Sequence, residues 1–263
     1  MEVFNDFCIF IIGLVFGSFF NMLIYRLPLQ LSLINPKRST CPECNFTIKW
    51  YENIPLLSYL LLKGRCSHCN TKIPMSYLIV EILTATVTLL LYKKLGFSIE
   101  FLFLTAIFYI LIILSFIDFK YKAVPDYLLI IITTLTFIYL FLYNFQQLSI
   151  FFIFAGAIVT IELFVTYYIQ NIKSYILKNN SLKSQKAIGE GDIPIIAIIG
   201  GILGLKFGII AILLSATFAI IPSIVNKISN MEMETPFIPY LSLGFFLTFI
   251  NENQLEKLLE GIM

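Results

Sequence analysis

Residues 193–225 read IPIIAIIGGILGLKFGIIAILLSATFAIIPSIV, a run in which Lys206 is the only charged side chain. A hydrocarbon core about 30 Å thick needs roughly 20 apolar helical residues, so this run has room for two short helical segments. The whole chain has the same character, since it is 59% hydrophobic and 13% charged, with a mean hydropathy of +0.89. A soluble domain must keep its surface wet and cannot have this composition. The sequence therefore predicts an integral membrane protein.

Eight apolar segments fit an all-α polytopic bundle of about eight transmembrane helices. They are residues 7–25, 76–92, 99–117, 125–143, 149–169, 193–205, 207–225 and 237–250. On this basis we divide the chain into a first transmembrane helix at 1–25, a polar loop at 26–75 and a helical bundle at 76–263. The sixth and seventh segments share one apolar run, so their division is the least constrained part of this prediction.

Basic residues are distributed unevenly over the predicted loops. With the N-terminus outside, the loops at 26–75, 118–124, 170–192 and 226–236 face the cytoplasm, and they hold all of the 18 Lys and Arg residues except Lys93, Lys94, Lys206 and Lys257. This bias follows the positive-inside rule and sets the predicted orientation. Acidic Glu2 and Asp6 precede the first apolar segment, the reverse of a signal peptide's basic n-region, so we expect a retained helix.

The loop at 26–75 carries a four-cysteine pattern. Its cysteines are Cys41, Cys44, Cys66 and Cys69, which form two CxxC pairs separated by a longer stretch. Two residues between thiolates let each pair bind one ion from a tight turn, and two such turns complete a tetrahedral zinc site. Because the loop is too small for a core of its own, we expect the Zn²⁺ to be structural.

Other readings of the cysteines are less favoured. Disulfides or free thiols are the alternative, and a reducing cytoplasm disfavours disulfides. His68 lies inside the second CxxC pair and could replace a thiolate, but four cysteines already complete the coordination shell. Cys8 lies in the first apolar segment, where a small buried side chain is the simpler interpretation.

Two aspartates lie at segment ends that face the same predicted side of the membrane. Asp118 ends the third segment in SFIDFKYKAVPD, and Asp192 begins the sixth in GEGD. Acidic groups at membrane depth usually face a cavity or the bundle interior. If they converge, the pair shares one proton and can run acid–base hydrolysis of a peptide bond, as in aspartic proteases. Gly189 and Gly191 leave the backbone beside Asp192 open to an extended substrate.

Four further acidic residues lie in or beside the apolar segments, and for two of them a role outside catalysis explains the position. Asp126 follows a proline at a helix start, where a carboxylate complements the helix dipole. We expect Glu190 to be solvated at the interface. Glu81 and Glu162 lie within apolar segments, so each needs a partner or a cavity.

In motif order, the chain resembles the type IV prepilin peptidases, which belong to the GxGD class of intramembrane aspartyl proteases. The motifs are GLVFGSFFNMLIYRLP at 13–28, CPEC, ENIPLLSYLLLKGRCSHC, YLIVEI, IDFKYKAVPD, GEGD and TPFIPYLSLG at 235–244. Each alone could be chance, whereas their shared order over nearly the whole chain is not.

The resemblance implies a particular reaction. Members of the family remove the short basic leader of prepilin-like proteins on the cytoplasmic side of the bacterial inner membrane, usually between Gly and Phe, and the matching motifs make Asp118 and Asp192 the catalytic pair. Members with the four-cysteine loop commonly also methylate the new amino terminus with S-adenosylmethionine. The implied partners are prepilins or pseudopilins of pili, secretion or DNA-uptake systems and the lipid bilayer, with no nucleic acid.

One position departs from the family pattern, and two rival functions stay open. The second motif commonly continues GxGDxK, whereas Pro194 stands here in place of the lysine, which predicts altered tuning of the pair more than lost activity. A proton-coupled transporter would use the two aspartates as a relay, but it predicts carboxylates near the midplane and related halves. A zinc-stabilised scaffold without catalysis would tolerate the loss of either aspartate.

Overall fold

In this computed structural model, the described residues are 2–34, 38–178, 180–184, 189–228 and 235–261, and they form helices and no β-strand. The α-helices are α1 (Glu2–Arg26), α2 (Leu57–Leu61), α3 (Ser76–Leu95), α4 (Ile99–Tyr121), α5 (Asp126–Tyr143), α6 (Gln147–Tyr167), α7 (Ser174–Leu177), α8 (Asp192–Ile228), α9 (Ile238–Ile250) and α10 (Glu252–Glu260). Short 3₁₀ helices cover Trp50–Asn53 and Asn180–Ser184, and a π-helical stretch, Tyr168–Lys173, joins α6 to α7. The predicted all-α class is confirmed.

The chain forms two compact units, Met1–Pro125 and Asp126–Met263. The boundary falls at the proline that precedes α5 and therefore lies inside the predicted 76–263 bundle. The first unit contains the polar loop together with α1, α3 and α4. The second contains α5 to α10.

In the first unit, α1 and α3 lie antiparallel and in close contact. A Cβ atom on Gly13 would lie 2.5 Å from the Ala85 Cα atom, and one on Gly17 would lie 2.6 Å from the Glu81 Cα atom. At the far end of the pair, the Lys93 ammonium lies 3.3 Å from the Asp6 carboxylate. Small residues let two helices approach at backbone distance, which is the usual packing of helices in lipid.

The fourth helix completes this unit. The Ser98 hydroxyl accepts a hydrogen bond from the Phe101 amide at 3.1 Å and so caps the start of α4. The Thr88 and Tyr109 hydroxyls are hydrogen-bonded at 2.7 Å between α3 and α4. The buried side chains of α4 are mostly Leu, Ile and Phe, so dispersion contacts add to this hydrogen bond in holding α4 against the α1–α3 pair.

In the second unit, α8 is interrupted at Gly204. A straight helix of its 37 residues would extend about 55 Å, well beyond one hydrocarbon core. Gly204 has φ of 75° and ψ of −179°, a conformation that is essentially restricted to glycine. A Cβ atom on Gly208 would lie 3.2 Å from the Gly200 Cα atom, although eight residues of straight helix separate two residues by about 12 Å. The chain therefore reverses at Gly204.

The two arms of α8, 192–203 and 205–228, correspond to the predicted sixth and seventh segments. Both Gly200 and Gly208 pack against the ring of Phe154 from α6. With its amide nitrogen turned toward the first arm, Gln147 donates to the carbonyl oxygens of Gly201 and Ile202 at the break. The predicted division of the run into two helices agrees with this reversal.

Five described helical stretches are long and apolar enough to cross a membrane. They are Glu2–Arg26, Ile99–Tyr121, Asp126–Tyr143, Gln147–Leu177 and Asp192–Ile224. Ile238–Ile250 is apolar but shorter, and its 13 residues extend only about 20 Å. A multi-pass helical membrane protein is confirmed, whereas the count of eight spans stays a prediction.

The reversal at Gly204 makes a stability prediction. Gly204→Ala is expected to destabilise the protein by about 1–3 kcal/mol, because a Cβ atom is strained at this φ and ψ. Gly156→Ala is the matched control, since nothing lies within 4 Å of its added Cβ atom and alanine favours a helix. Detergent-solubilised protein titrated with sodium dodecyl sulfate and followed by circular dichroism measures both. Equal unfolding midpoints for Gly204→Ala and the wild type would contradict the assigned backbone conformation.

Candidate active site and metal centre

The polar loop contains two turns of the same construction, which we call the first knuckle (41–47) and the second knuckle (66–72). In the first, the Cys41 amide donates to the Phe46 carbonyl oxygen at 2.9 Å, and the Asn45 amide donates to the Cys41 carbonyl oxygen at 2.9 Å. In the second, Cys66 and Asn70 repeat these bonds at 2.9 and 3.0 Å. An isolated β-bridge joins the residue before each knuckle to the last residue of that knuckle, Thr40 to Thr47 and Arg65 to Lys72.

An asparagine follows each CxxC pair. Asn45 has φ of 55° and Asn70 has φ of 58°, and asparagine tolerates this left-handed region better than most residues. Neither asparagine is among the residues predicted from the sequence, although the repeat Cys-x-x-Cys-Asn is visible there. The signal that could have found them is the small repeat itself, because a metal knuckle needs one left-handed residue to bring the chain back.

The four predicted metal ligands come together. The Sγ atoms of Cys41, Cys44, Cys66 and Cys69 all lie within 4.8 Å of one another. The Cys41 and Cys69 Sγ atoms are 3.7 Å apart. A tetrahedral site with Zn–S bonds of about 2.3 Å has sulfur–sulfur edges of about 3.8 Å, so the thiol spacing fits zinc. All five cysteines of the chain are free thiols in the structure.

Neither His68 nor Cys8 belongs to this thiol cluster. The His68 ring stacks on the Phe46 ring with centroids 4.8 Å apart and an interplanar angle of 8°. This stacking joins the second knuckle to the first, so the imidazole contributes to the packing of the loop. Cys8 is half-buried in α1.

Interactions within the loop shift the pKa values of two thiols of the cluster in opposite directions. Hydrogen bonding from the side chain and backbone of Thr71 lowers the pKa of Cys69 to about 6. The Phe46 amide favours the thiolate of Cys44, but desolvation and the three neighbouring thiols together raise its pKa to about 12. Metal binding needs thiolates, so an ion bound here would displace protons from the cluster.

Asp118 and Asp192 are both buried, and each residue is 8% exposed. Asp118 lies in the last turn of α4, where its carbonyl oxygen accepts a hydrogen bond from the Lys122 amide at 2.9 Å. Asp192 begins α8, and its amide donates to the Gly189 carbonyl oxygen at 3.0 Å. The first aspartate belongs to the first unit and the second to the other, and their convergence stays a prediction.

The glycine before Asp192 lies against its carboxyl group. A Cβ atom on Gly189 would lie 3.1 Å from Asp192 Oδ2, tighter than nearly all contacts that side chains make. Gly189 is exposed and Gly191 is half-buried. The space beside Gly189 is therefore filled by the Asp192 carboxyl group, and access of an extended substrate to this backbone stays a prediction.

The other acidic residues differ in their surroundings. Asp126 is exposed in the first turn of α5, the position expected of a charge that complements the helix dipole. Glu190 is exposed, and Glu162 is half-buried in α6. Glu81 has the partner that the sequence required: its Oε2 atom accepts from the Leu56 amide at 2.8 Å, and the Ser18 hydroxyl hydrogen-bonds to the same carboxylate.

Together these features define a class: a multi-pass helical membrane protein with a four-thiol metal knuckle in one loop and buried aspartates at two helix ends. Comparison with known proteins specifies it further. Residues 11–95 match the bacterial peptidase A24 N-terminal domain, and residues 105–224 match the type IV leader peptidase family. The chain belongs to the type IV leader peptidase family.

Several curated relatives cover nearly the whole chain. A prepilin leader peptidase/N-methyltransferase of Vibrio cholerae is 33% identical over 92% of this chain and 94% of its own length. Proteins of the same name from Legionella pneumophila and Bacillus subtilis are 32% and 29% identical, over 88% and 92% of this chain and 86% and 92% of their own lengths. No solved structure matches the chain.

Proposed function

We propose that this protein is a membrane aspartyl endopeptidase that removes the leader of type IV prepilin-like proteins and then methylates the new amino terminus. The observation that carries the proposal is 33% identity, over 92% of the chain, to a protein named for both activities. The buried carboxyl groups and the thiol cluster are the chemical groups that such a protein needs. We place it in the bacterial inner membrane with its site facing the cytoplasm.

Asp118 and Asp192 are the proposed catalytic pair. One carboxylate takes a proton from water, and the water oxygen forms a bond to the carbonyl carbon of the scissile peptide. The protonated partner donates its proton to the carbonyl oxygen. When the tetrahedral intermediate collapses, the carbon–nitrogen bond breaks, the leaving amine takes the proton that the first carboxylate took from water, and the second carboxylate recovers its proton from the hydroxyl group. The burial of both groups supports this role, since a carboxyl pair shares one proton best away from bulk water.

The thiol cluster is proposed to hold one Zn²⁺ through Cys41, Cys44, Cys66 and Cys69. Four thiolates close the coordination shell and leave no position for substrate, so the ion acts structurally. S-adenosylmethionine is the proposed methyl donor and supplies the methyl group that the new amine accepts. We expect the metal loop to support methylation more than cleavage, because the proposed peptidase carboxyl groups lie on other elements.

Pro194 stands where the family pattern has a lysine, and it occupies the first turn of α8. Proline is compatible with this position because the first amides of a helix have no intrahelical acceptor. The fold of the GEGD turn therefore accommodates it. We propose that the missing cation changes the proton affinity of the pair and leaves the reaction itself intact.

The comparisons favour neither rival function. A proton-coupled transporter and a non-catalytic scaffold both lack support among the named relatives, which are leader peptidases. The burial of Asp118 and Asp192 agrees with catalysis but is not specific to it. The family assignment decides between the three functions.

The proposed function is tested with membranes that carry this protein, a full-length prepilin and S-adenosylmethionine. Intact-mass measurement and N-terminal sequencing of the product are expected to show leader removal and the addition of one methyl group. Omission of S-adenosylmethionine should leave cleavage unchanged and abolish methylation. Recovery of only the uncleaved prepilin would refute the peptidase assignment, while a cleaved but unmethylated product would refute the second activity alone.

A further inference from the structure

Glu81 holds part of the polar loop deep beside α1 and α3. The Glu81 Cα atom lies against Gly17 of α1, nine residues before the end of that helix, which corresponds to about 13 Å along its axis. The Leu56 amide donates to this carboxylate at 2.8 Å. Since α1 is long and apolar enough to span a membrane, this hydrogen bond places the turn at Leu56 alongside the apolar part of α1.

The backbone of this turn is unusual, and the amides of Leu56, Leu57 and Ser58 each have an acceptor. Leu56 has φ of 63° and ψ of −53°, and the Leu57 amide donates to the Pro55 carbonyl oxygen at 2.6 Å, which makes a strained γ-turn. The Ser58 amide donates to the Ile54 carbonyl oxygen at 3.0 Å. Non-helical backbone is tolerated at membrane depth only when its polar groups are satisfied. Glu81 meets that need for Leu56, whose amide the γ-turn leaves without a local acceptor.

Large apolar side chains around this turn point outward. Trp50 is 76% exposed and Leu61 is 80% exposed, and Leu57 and Leu60 are each more than half exposed. We call residues 50–61 the interfacial segment. A cluster of this size is unfavourable in water, because each exposed apolar side chain forgoes about 1.5–3 kcal/mol of burial energy.

The charges around the interfacial segment suit a phospholipid surface. Lys49 precedes it, Lys63 and Arg65 follow it, and all three are exposed. The one acid inside it, Glu52, accepts a hydrogen bond from the Lys49 amide at 2.9 Å, which lowers the Glu52 pKa. A tryptophan beside lysines and leucines is the composition of segments that lie at a membrane–water interface.

From this depth, exposure and charge, we propose that the interfacial segment is inserted into the membrane leaflet on the side of the metal loop, with Glu81 as the positioning residue that holds it there. Its partner is the headgroup and upper acyl region of anionic phospholipid. The metal loop is then fixed at the membrane surface by lipid on one side and by Glu81 on the other. This proposal is independent of the catalytic assignment.

Trp50 is the only tryptophan of the chain, so its fluorescence reports on this segment alone. The zinc-loaded full chain is reconstituted in vesicles of phosphatidylcholine and phosphatidylglycerol whose acyl chains carry bromine near the headgroup or near the chain end. We expect lipid brominated near the headgroup to remove most of the Trp50 emission, and aqueous iodide to remove little. Efficient iodide quenching with no effect of brominated lipid would overturn the proposal.

Two variant sets separate insertion from general folding. Leu57→Asn, Leu60→Asn and Leu61→Asn together should raise iodide quenching of Trp50, and unchanged quenching would count against lipid insertion. Glu81→Leu removes the acceptor of the Leu56 amide and should also expose Trp50, whereas Glu81→Gln keeps an acceptor oxygen and should restore the wild-type quenching. If Glu81→Gln matched Glu81→Leu, the positioning role would be wrong.

The same fluorescence measurement also tests whether substrate, and not lipid, occupies the interfacial segment. If Trp50 is insensitive to brominated lipid and its emission changes only when prepilin is added, the segment is a substrate surface and the lipid proposal fails. Zinc content, measured on each variant, identifies any that has lost its fold. The wild-type comparison of the two bromine depths decides the question without any variant.

Discussion

Asp118→Asn and Asp192→Asn are each expected to lower the rate of leader cleavage by about a thousandfold or more, because a positioned acid or base contributes roughly 10²–10⁴ in rate and the two proposed catalytic groups act as one unit. Asparagine keeps the size of the side chain but can neither take a proton from water nor donate one to the carbonyl oxygen. The measurement is the initial rate of prepilin shortening by membranes that contain equal amounts of each variant.

The matched control is Asp126→Asn. This residue is only eight positions from Asp118 but is exposed at the start of α5, where its charge complements the helix dipole. Its loss should reduce cleavage by less than about fivefold, in line with a dipole interaction of about 0.3–1 kcal/mol. Full cleavage by either the Asp118 or the Asp192 variant would end the assignment of the pair, provided that the membranes contain no second peptidase.

Cys41→Ser and Cys66→Ser are each expected to reduce bound zinc from about one ion per chain to a small fraction, because removing one thiolate opens the proposed tetrahedral shell. Structural zinc sites in small domains contribute about 10–16 kcal/mol to folding, so the loop should lose its ordered form. Metal analysis of the purified variants measures zinc, and the assay with prepilin and S-adenosylmethionine measures both reactions. We expect methylation to be lost and cleavage to persist at a reduced rate.

Cys8→Ser is the control for these variants. Cys8 lies in α1 outside the thiol cluster, so its replacement should leave zinc content and methylation unchanged. Zinc retained by Cys41→Ser and Cys66→Ser alike would refute the four-thiol site. Zinc lost with both reactions unchanged would leave the site intact and remove any functional role for it.

The metal centre was predictable because its chemistry is local in sequence. Each CxxC pair determines one knuckle through spacing alone, and the thiols of Cys41 and Cys69 meet at the distance that zinc requires. The left-handed asparagines were equally local, and a search for repeats would have found them. The stacking of His68 on Phe46 joins the two knuckles and could not be derived from either one.

The helical bundle was predictable in part. Apolar run length predicts where helices lie, because a backbone in lipid must satisfy its own hydrogen bonds. It does not predict how they end or pair. The reversal at Gly204 agrees with the predicted division of the 193–225 run. The reversal itself is shown by the contact of Gly208 with Gly200, which joins residues from two arms and could not be predicted from either arm.

The partner of Glu81 could not be predicted at all. A buried carboxylate in an apolar helix needs a donor, and the sequence shows that need without showing which group meets it. The donor is the amide of Leu56, twenty-five positions away, released from local bonding by a γ-turn. Such a backbone donor leaves no trace in side-chain patterns.

By itself, the sequence determined what depends on neighbouring residues or on bulk composition: the membrane environment, the helices, the two CxxC turns and the acidic motifs typical of the family. Only the tertiary structure decided which surfaces meet, including α1 on α3 through Gly13 and Gly17, the reversal at Gly204 and the anchoring of the metal loop by Glu81. The physical reason is that helix formation and metal spacing are satisfied within a few residues, whereas packing and buried hydrogen bonds are satisfied between residues that only the fold brings together.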